Sequence, residues 1–175
     1  MQALTISNVS KLPRYGVKGA QAANWLAMHG VKIPETANSW VLHEQTLVMR
    51  LGSSEFLIED QTGGEACKKL LAVTLREPNV YKVPRADAAY LLSGSDVVNL
   101  LSELCALDLR ESALLENDVV MTQVAGISAV ILRQTLNNEP VYRLWCDGTY
   151  SSYMQHVLDE VAVELGSISG GLSSD

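Results

Sequence analysis

Apolar positions recur along the chain at two spacings, and the switches between them mark out its elements. Residues 20–29, within Gly19-Ala-Gln-Ala-Ala-Asn-Trp-Leu-Ala-Met-His29, are rich in helix formers, and Gly30 stands where a left-handed residue ends a helix. Pro34 closes that connection. Three β-type runs follow at Trp40–His43, Thr46–Leu51 and Glu55–Glu59, and Gly52-Ser53-Ser54 between the last two predicts a hairpin. After Gly63-Gly64, the segment Glu65–Arg76 places Ala66, Leu70, Leu71 and Val73 at helical spacing.

The pattern then restarts. Val80–Leu92 reads as one extended run, Ser93-Gly94 as a turn, and residues 96–104 as a helix with Ser95 as its N-cap. Val119–Val124 and Ile127–Gln134 are separated only by Ala125-Gly126, a two-residue hairpin signal, and Asn137-Asn138-Glu139-Pro140 predicts a turn before a strand over Val141–Cys146. The clearest helical period belongs to Tyr150–Leu165, where Met154, Val157, Leu158, Val161, Ala162 and Leu165 oppose Gln155, Asp159, Glu160 and Glu164. The Gly/Ser-rich residues 167–175 predict a flexible tail.

Val17-Lys18-Gly19 to Asn24-Trp25-Leu26 aligns with Leu92-Ser93-Gly94 to Asn99-Leu100-Leu101 in the placing of Gly, Asn and Leu. The expected fold class is therefore α+β: two pseudo-repeated halves, residues 1–78 and 79–166, each written strand, helix, three strands, helix and packed together through their sheets.

Composition narrows the function classes. Apolar residues make up 47% and charged residues 19% of the 175, enough for a core and too apolar for intrinsic disorder. A net charge of −7 without any Lys/Arg run argues against nucleic acid as a partner. Residues 1–10 lack a secretory pattern and no apolar run is long enough for a bilayer, so the expectation is a cytoplasmic protein with no membrane partner. Cys67, Cys105 and Cys146, odd in number and far apart, read as reduced, buried thiols.

Motifs that carry chemistry are absent. There is no phosphate loop, no G-x-G-x-x-G and no G-x-S-x-G elbow, and Gly63-Gly64-Glu65-Ala66-Cys67-Lys68 lacks the spacing and hydroxyl that a phosphate cradle needs. His29, His43 and His156 form no H-x-x-x-H pair, so neither a metal site nor a catalytic residue is expected, each histidine being a cap, a surface group or a packed polar side chain. Three candidate cofactor-binding residues remain. Strand alternation over Arg85-Ala86-Asp87 would put both charges on one face, as an ion pair in solvent or as a ligand contact. Trp145, in Arg143-Leu-Trp-Cys-Asp-Gly148, is a core or interface anchor or a ligand contact.

Longer stretches carry a family resemblance. Arg14-Tyr-Gly-Val-Lys-Gly19 leading to Ala22-Ala-Asn-Trp-Leu26, then Pro34, Asn38-Ser-Trp40, Arg50-Leu-Gly52 and Glu55-Phe-Leu57, resembles the gamma subunit of heterotetrameric sarcosine oxidase. Val83-Pro-Arg-Ala-Asp87, Leu92-Ser-Gly94, Cys105-Ala-Leu-Asp-Leu109, Met121-Thr122, Tyr142-Arg-Leu-Trp-Cys-Asp147 and Tyr153 extend it over nearly the whole chain. The resemblance implies a folate-binding-domain-like fold, related to the glycine-cleavage T-protein, in a non-catalytic subunit of a sarcosine-oxidising complex. It implies that this chain binds no cofactor and that FAD, FMN, NAD, zinc and tetrahydrofolate belong to larger partner subunits. In isolation such a chain is expected to self-associate. The K-G-C-Y-x-G-Q stretch of the related iron-sulfur maintenance proteins is missing. Two other readings stand beside it: a free-standing tetrahydrofolate or one-carbon-carrier binding protein, and an aminomethyltransferase-like enzyme, for which Asp87 or Asp108 would be the residues to test.

Overall fold

The computed structural model describes residues 3–167. In chain order its elements are β1 (Thr5–Asn8), β2 (Arg14–Lys18), α1 (Ala22–Met28), β3 (Ser39–His43), β4 (Thr46–Arg50), β5 (Glu55–Asp60), α2 (Ala66–Ala72), β6 (Tyr81–Val83), β7 (Asp87–Ser93), α3 (Val97–Leu104), β8 (Val119–Val124), β9 (Ile127–Leu136), β10 (Glu139–Asp147) and α4 (Ser151–Glu164), with a 3-10 turn at Gly148–Tyr150. The fold is mixed α+β, with two antiparallel five-stranded sheets and four α-helices among the described residues. The expected tail lies outside the described residues except for Ser167, whose hydroxyl donates to Asp96 Oδ2 at 2.6 Å.

Two compact units divide the chain. The first holds residues 11–86 and 117–119; the second holds 3–10, 87–116 and 120–167. The switches thus fall after residues 10 and 86, where a single division at residue 78 was expected, because β1 pairs with β7 (Thr5↔Ser93 to Asn8↔Tyr90) and β6 pairs with β2.

In the first unit the strand order is β3-β4-β5-β2-β6. Alternation sends Tyr15, Val17, Val48, Phe56 and Ile58 into one core with Trp25 and Leu26 of α1 and Cys67 and Leu70 of α2. The alternate positions Leu47, Met49 and Leu57 are buried as well, and among them Arg14 Nε donates to Glu59 Oε2 at 2.7 Å. α1 ends as its sequence predicts: Gly30 has φ +76°, its N–H donates to Ala27 O, and the N–H of Val31 reaches back to Leu26 O. α2 stops at Ala72, four residues short of the expected Arg76, because Val73 is already extended and the Val73-Thr74 pair is a poor helix former ahead of Pro78.

The second unit orders its strands β1-β7-β10-β9-β8. Ala88, Tyr90, Leu92, Ile131, Tyr142, Leu144 and Cys146 share a core with Leu100 and Leu101 of α3 and Met154, Leu158 and Ala162 of α4. Both two-residue hairpins turn through the left-handed region, Ala125 and Gly126 at φ +50° and +78°, Asn137 and Asn138 at +52° and +63°. Pro140 lies inside β10 opposite Thr135, a position β10 shares with β9 alone because its ladder with β7 begins at Val141, so no bond to β7 is lost. Ser95 does not cap α3: its hydroxyl donates to Ala3 O, and Asp96 occupies the cap position.

The extended run Val80–Leu92 is two strands in two different sheets. Pro84, with no N–H and a fixed φ, interrupts the ladder, and Pro84-Arg85-Ala86 passes outside both sheets.

Candidate functional site

That break separates the two charged candidates. Arg85 sits in the connecting segment of the first unit, not on a strand face with Asp87, and its stem crosses Gly16 of β2 so closely that a Cβ there would lie 2.9 Å from Arg85 Cδ. Asp87 opens β7 directly opposite Asp147 of β10, and Trp145 faces Ala89 two pairs further in. Asp87 and Trp145 therefore share one face of the second sheet, where Trp145 is 1% exposed. Asp147 anchors the following turn, accepting from the Thr149 amide at 2.8 Å and its hydroxyl at 2.6 Å.

The thiols of Cys67 and Cys146 are held in their protonated, unreactive form. Burial, reinforced by the charges of Asp87 and Asp147, pushes Cys146 up to about 11. Burial and then the Asp60 charge push Cys67 up to about 12. All three cysteines are free and buried. Asp108 is exposed, and its carboxyl is pulled down to about 2 by the Arg110 guanidinium hydrogen-bonded to it. Among the described residues no three His, Cys, Asp or Glu side chains are grouped as metal ligands would be, and no helix is long and apolar enough to cross a membrane.

What the structure does assemble is a polar cavity of about 300 Å³ in the first unit. Three connections build it. The turn after α1 contributes His29, Gly30, Val31 and Lys32; the β3–β4 turn contributes His43 and Glu44; the start of α2 contributes Gly63, Glu65, Ala66 and Lys69. Thr46 and Val48 form part of its wall. The first connection is aimed by Gly30, whose left-handed conformation reverses the chain and buries Val31.

The second is a strained device. Glu44 and Gln45 occupy both central positions of a two-residue hairpin at φ +48° and +62°, where glycine or asparagine is the usual choice. The third connection holds that turn in place: Gln61 N donates to Gln45 O at 2.7 Å, and Gly64 packs so tightly that a Cβ would meet Gln45 O at 2.6 Å. Behind the wall lies Asp60, 1% exposed, whose Oδ1 accepts from Thr46 Oγ1 at 2.8 Å and Ala66 N at 3.1 Å while Oδ2 accepts from Cys67 N at 2.8 Å. Asp60 thereby satisfies two first-turn amides of α2 and ties α2 to β4.

Sequence reading kept the histidines apart, whereas His29 and His43 line the same cavity. His29 Nδ1 lies 2.8 Å from Trp25 O; a carbonyl only accepts, so Nδ1 carries the proton and Nε2 is the open ring nitrogen. The ring also lies against Trp25, centroids 4.5 Å apart, and Trp25 stacks on Tyr15 at 6.1 Å. His156 is a surface group, 3.2 Å from Glu160.

No protein-family model matches the chain, and no curated protein matches it. Solved structures do. A chain of the heterotetrameric sarcosine oxidase from Corynebacterium sp. U-96, in complex with pyrrole 2-carboxylate, superposes with a TM-score of 0.77 at 20% identity, over 97% of this chain and 89% of that one. The glycine cleavage system aminomethyltransferase T from Bartonella henselae superposes with a TM-score of 0.60 at 16% identity, covering 89% of this chain but only 45% of that one. At these identities the likeness is one of fold, and the resemblance read from the sequence motifs is matched by the same fold.

Proposed function

We propose that the chain is a gamma-type, non-catalytic subunit of a sarcosine oxidase-like complex that oxidises N-methyl amines, with the flavins, NAD, zinc and tetrahydrofolate held by larger partner subunits. One observation carries the reading: the superposition on a chain of heterotetrameric sarcosine oxidase runs almost end to end in both partners, whereas the chain spans under half of the aminomethyltransferase. The chemistry is in keeping. Cys67 and Cys146 are held protonated, and the candidates Arg85, Asp87 and Trp145 are divided between two units, so this chain's role is contact with larger chains in a soluble complex of one-carbon metabolism. The like order of the two sheets, a three-stranded meander returning beside the strand that precedes the first helix of each unit, supports a duplicated, folate-binding-domain-like scaffold.

Co-expression with the large flavin-bearing subunit of such a complex tests it. Stable co-elution and raised N-methyl amine oxidation in the assembled complex are expected. A chain that remains apart from that subunit, and instead shows saturable quenching of tryptophan emission by tetrahydrofolate, would replace this reading with that of a free-standing folate carrier.

A further inference from the structure

We propose that the cavity of the first unit binds a small anion through a carboxylate or phosphate group, held by Lys32, Lys69 and Nε2 of His29. Its volume of about 300 Å³ lies at the small end of ligand sites, which sets the size of the occupant. Six titratable side chains line it, and four of these, His29, Lys32, His43 and Lys69, are nitrogen bases that donate hydrogen bonds when charged. None of Lys32, Glu44, Glu65 and Lys69 makes an ion pair or side-chain hydrogen bond among the described residues, so charges from three separate connections line one cavity without pairing directly.

His29 is the most constrained of the set. Its ring is fixed by the Nδ1–H bond to Trp25 O and by contact with the Trp25 ring, which leaves Nε2 to meet a ligand. A protonated imidazole there would donate from Nε2 to an anionic oxygen and rest on an aromatic face. The Thr46 hydroxyl is engaged by Asp60, so the donors left in the lining are the basic nitrogens and backbone amides.

Charge balance sets the pH dependence. Lys32 and Lys69 are offset by Glu44 and Glu65. The Glu77 carboxyl, held low first by its hydrogen bond from the Arg76 amide and in smaller part by the charge of His29, is a further carboxylate acting on His29. With both histidines neutral the lining carries no net positive charge; protons on His29 and His43 supply it. Protonation of the two histidines therefore strengthens anion binding.

The test uses the full chain with succinate and inorganic phosphate as separate probes, at about pH 5.5 and about pH 8. Tryptophan emission and the histidine ring resonances report binding, against sodium chloride of equal ionic strength. Saturable binding is expected, about tenfold tighter at the lower pH, weakened about tenfold in Lys69→Gln, and with its pH dependence reduced in His29→Gln and lost when His43→Gln is added. These side chains are exposed, so the variants keep the fold. Response to succinate alone assigns a carboxylate ligand, and response to phosphate alone a phosphate. A His29 resonance that moves no further than in the chloride control with both probes, or equal binding by Lys32→Gln, Lys69→Gln and the parent, overturns the proposal. Failure here leaves the subunit reading intact, because complex assembly is scored without either probe.

Discussion

Replacing Asp60 probes the device that holds the cavity wall and α2 together. Its carboxylate is buried and accepts from Thr46 Oγ1, Ala66 N and Cys67 N. In Asp60→Ala all three donors lose their partner, and a hydrogen bond to a charged group contributes about 1.5–3 kcal/mol, so a loss of about 3–5 kcal/mol is expected after partial relaxation. In Asp60→Asn the carbonyl can take the Oδ1 position and keep the bonds from Thr46 and Ala66, while the amide NH₂ confronts the Cys67 N–H. One bond is lost, at about 1–2 kcal/mol. For a chain of this size each kcal/mol moves Tm by about 2–4 °C, so Asp60→Ala should melt about 10 °C lower and Asp60→Asn only a few degrees lower. Circular dichroism melts measure this. A second readout is local: Cys67 donates its S–H to Pro13 O and Ile58 O inside the core, so loosening α2 should raise its labelling by a thiol reagent. The reasoning fails if Asp60→Ala melts within about 3 °C of the parent, or if Asn costs as much as Ala.

Two further outcomes follow from the second unit. Ala125 sits at φ +50° before Gly126, so Ala125→Asn, which creates the preferred residue pair for that turn, should stabilise by about 0.5–1 kcal/mol in denaturant titration. Burial raises the Tyr90 hydroxyl to about 12, and in the fold it donates to Ser151 O at 2.8 Å. The folded state thus holds this proton more tightly than the unfolded chain: the contribution is complete below about pH 10 and disappears as the pH rises through about 12. Tyr90→Phe should flatten the alkaline unfolding curve in that window while costing about 1 kcal/mol at neutral pH.

The parts of the fold legible in the sequence are those fixed by local chemistry. Gly30 announced the end of α1, and Ala125-Gly126 and the Asn137-Asn138 pair announced hairpins because each position demands a positive φ. The Glu44-Gln45 hairpin carried no such sign: neither residue favours its conformation, and the restraint comes from Gln61 and Gly64, remote in sequence. Val80–Leu92 misled because its apolar character continues across Pro84, and the change of sheet is a tertiary matter. β1 went unread since four half-polar residues give no period; only pairing with β7 makes them a strand. The cavity was illegible for a related reason. Lys32, His43 and Lys69 meet because three turns converge, and nothing in their spacing encodes that.

The pairing of β1 with β7 also governs the order of events in biosynthesis. Ile6 lies opposite Leu92, and all of the first unit except residues 117–119 is threaded between those two neighbours. β1 is made before its partner β7 and must therefore wait until the intervening stretch has been made. Closing so long a loop from a disordered chain is slow, and prior compaction of residues 11–86 shortens the span to be closed. The nested arrangement thus favours a vectorial route in which the interior segment condenses first and the two flanks then join around its ends.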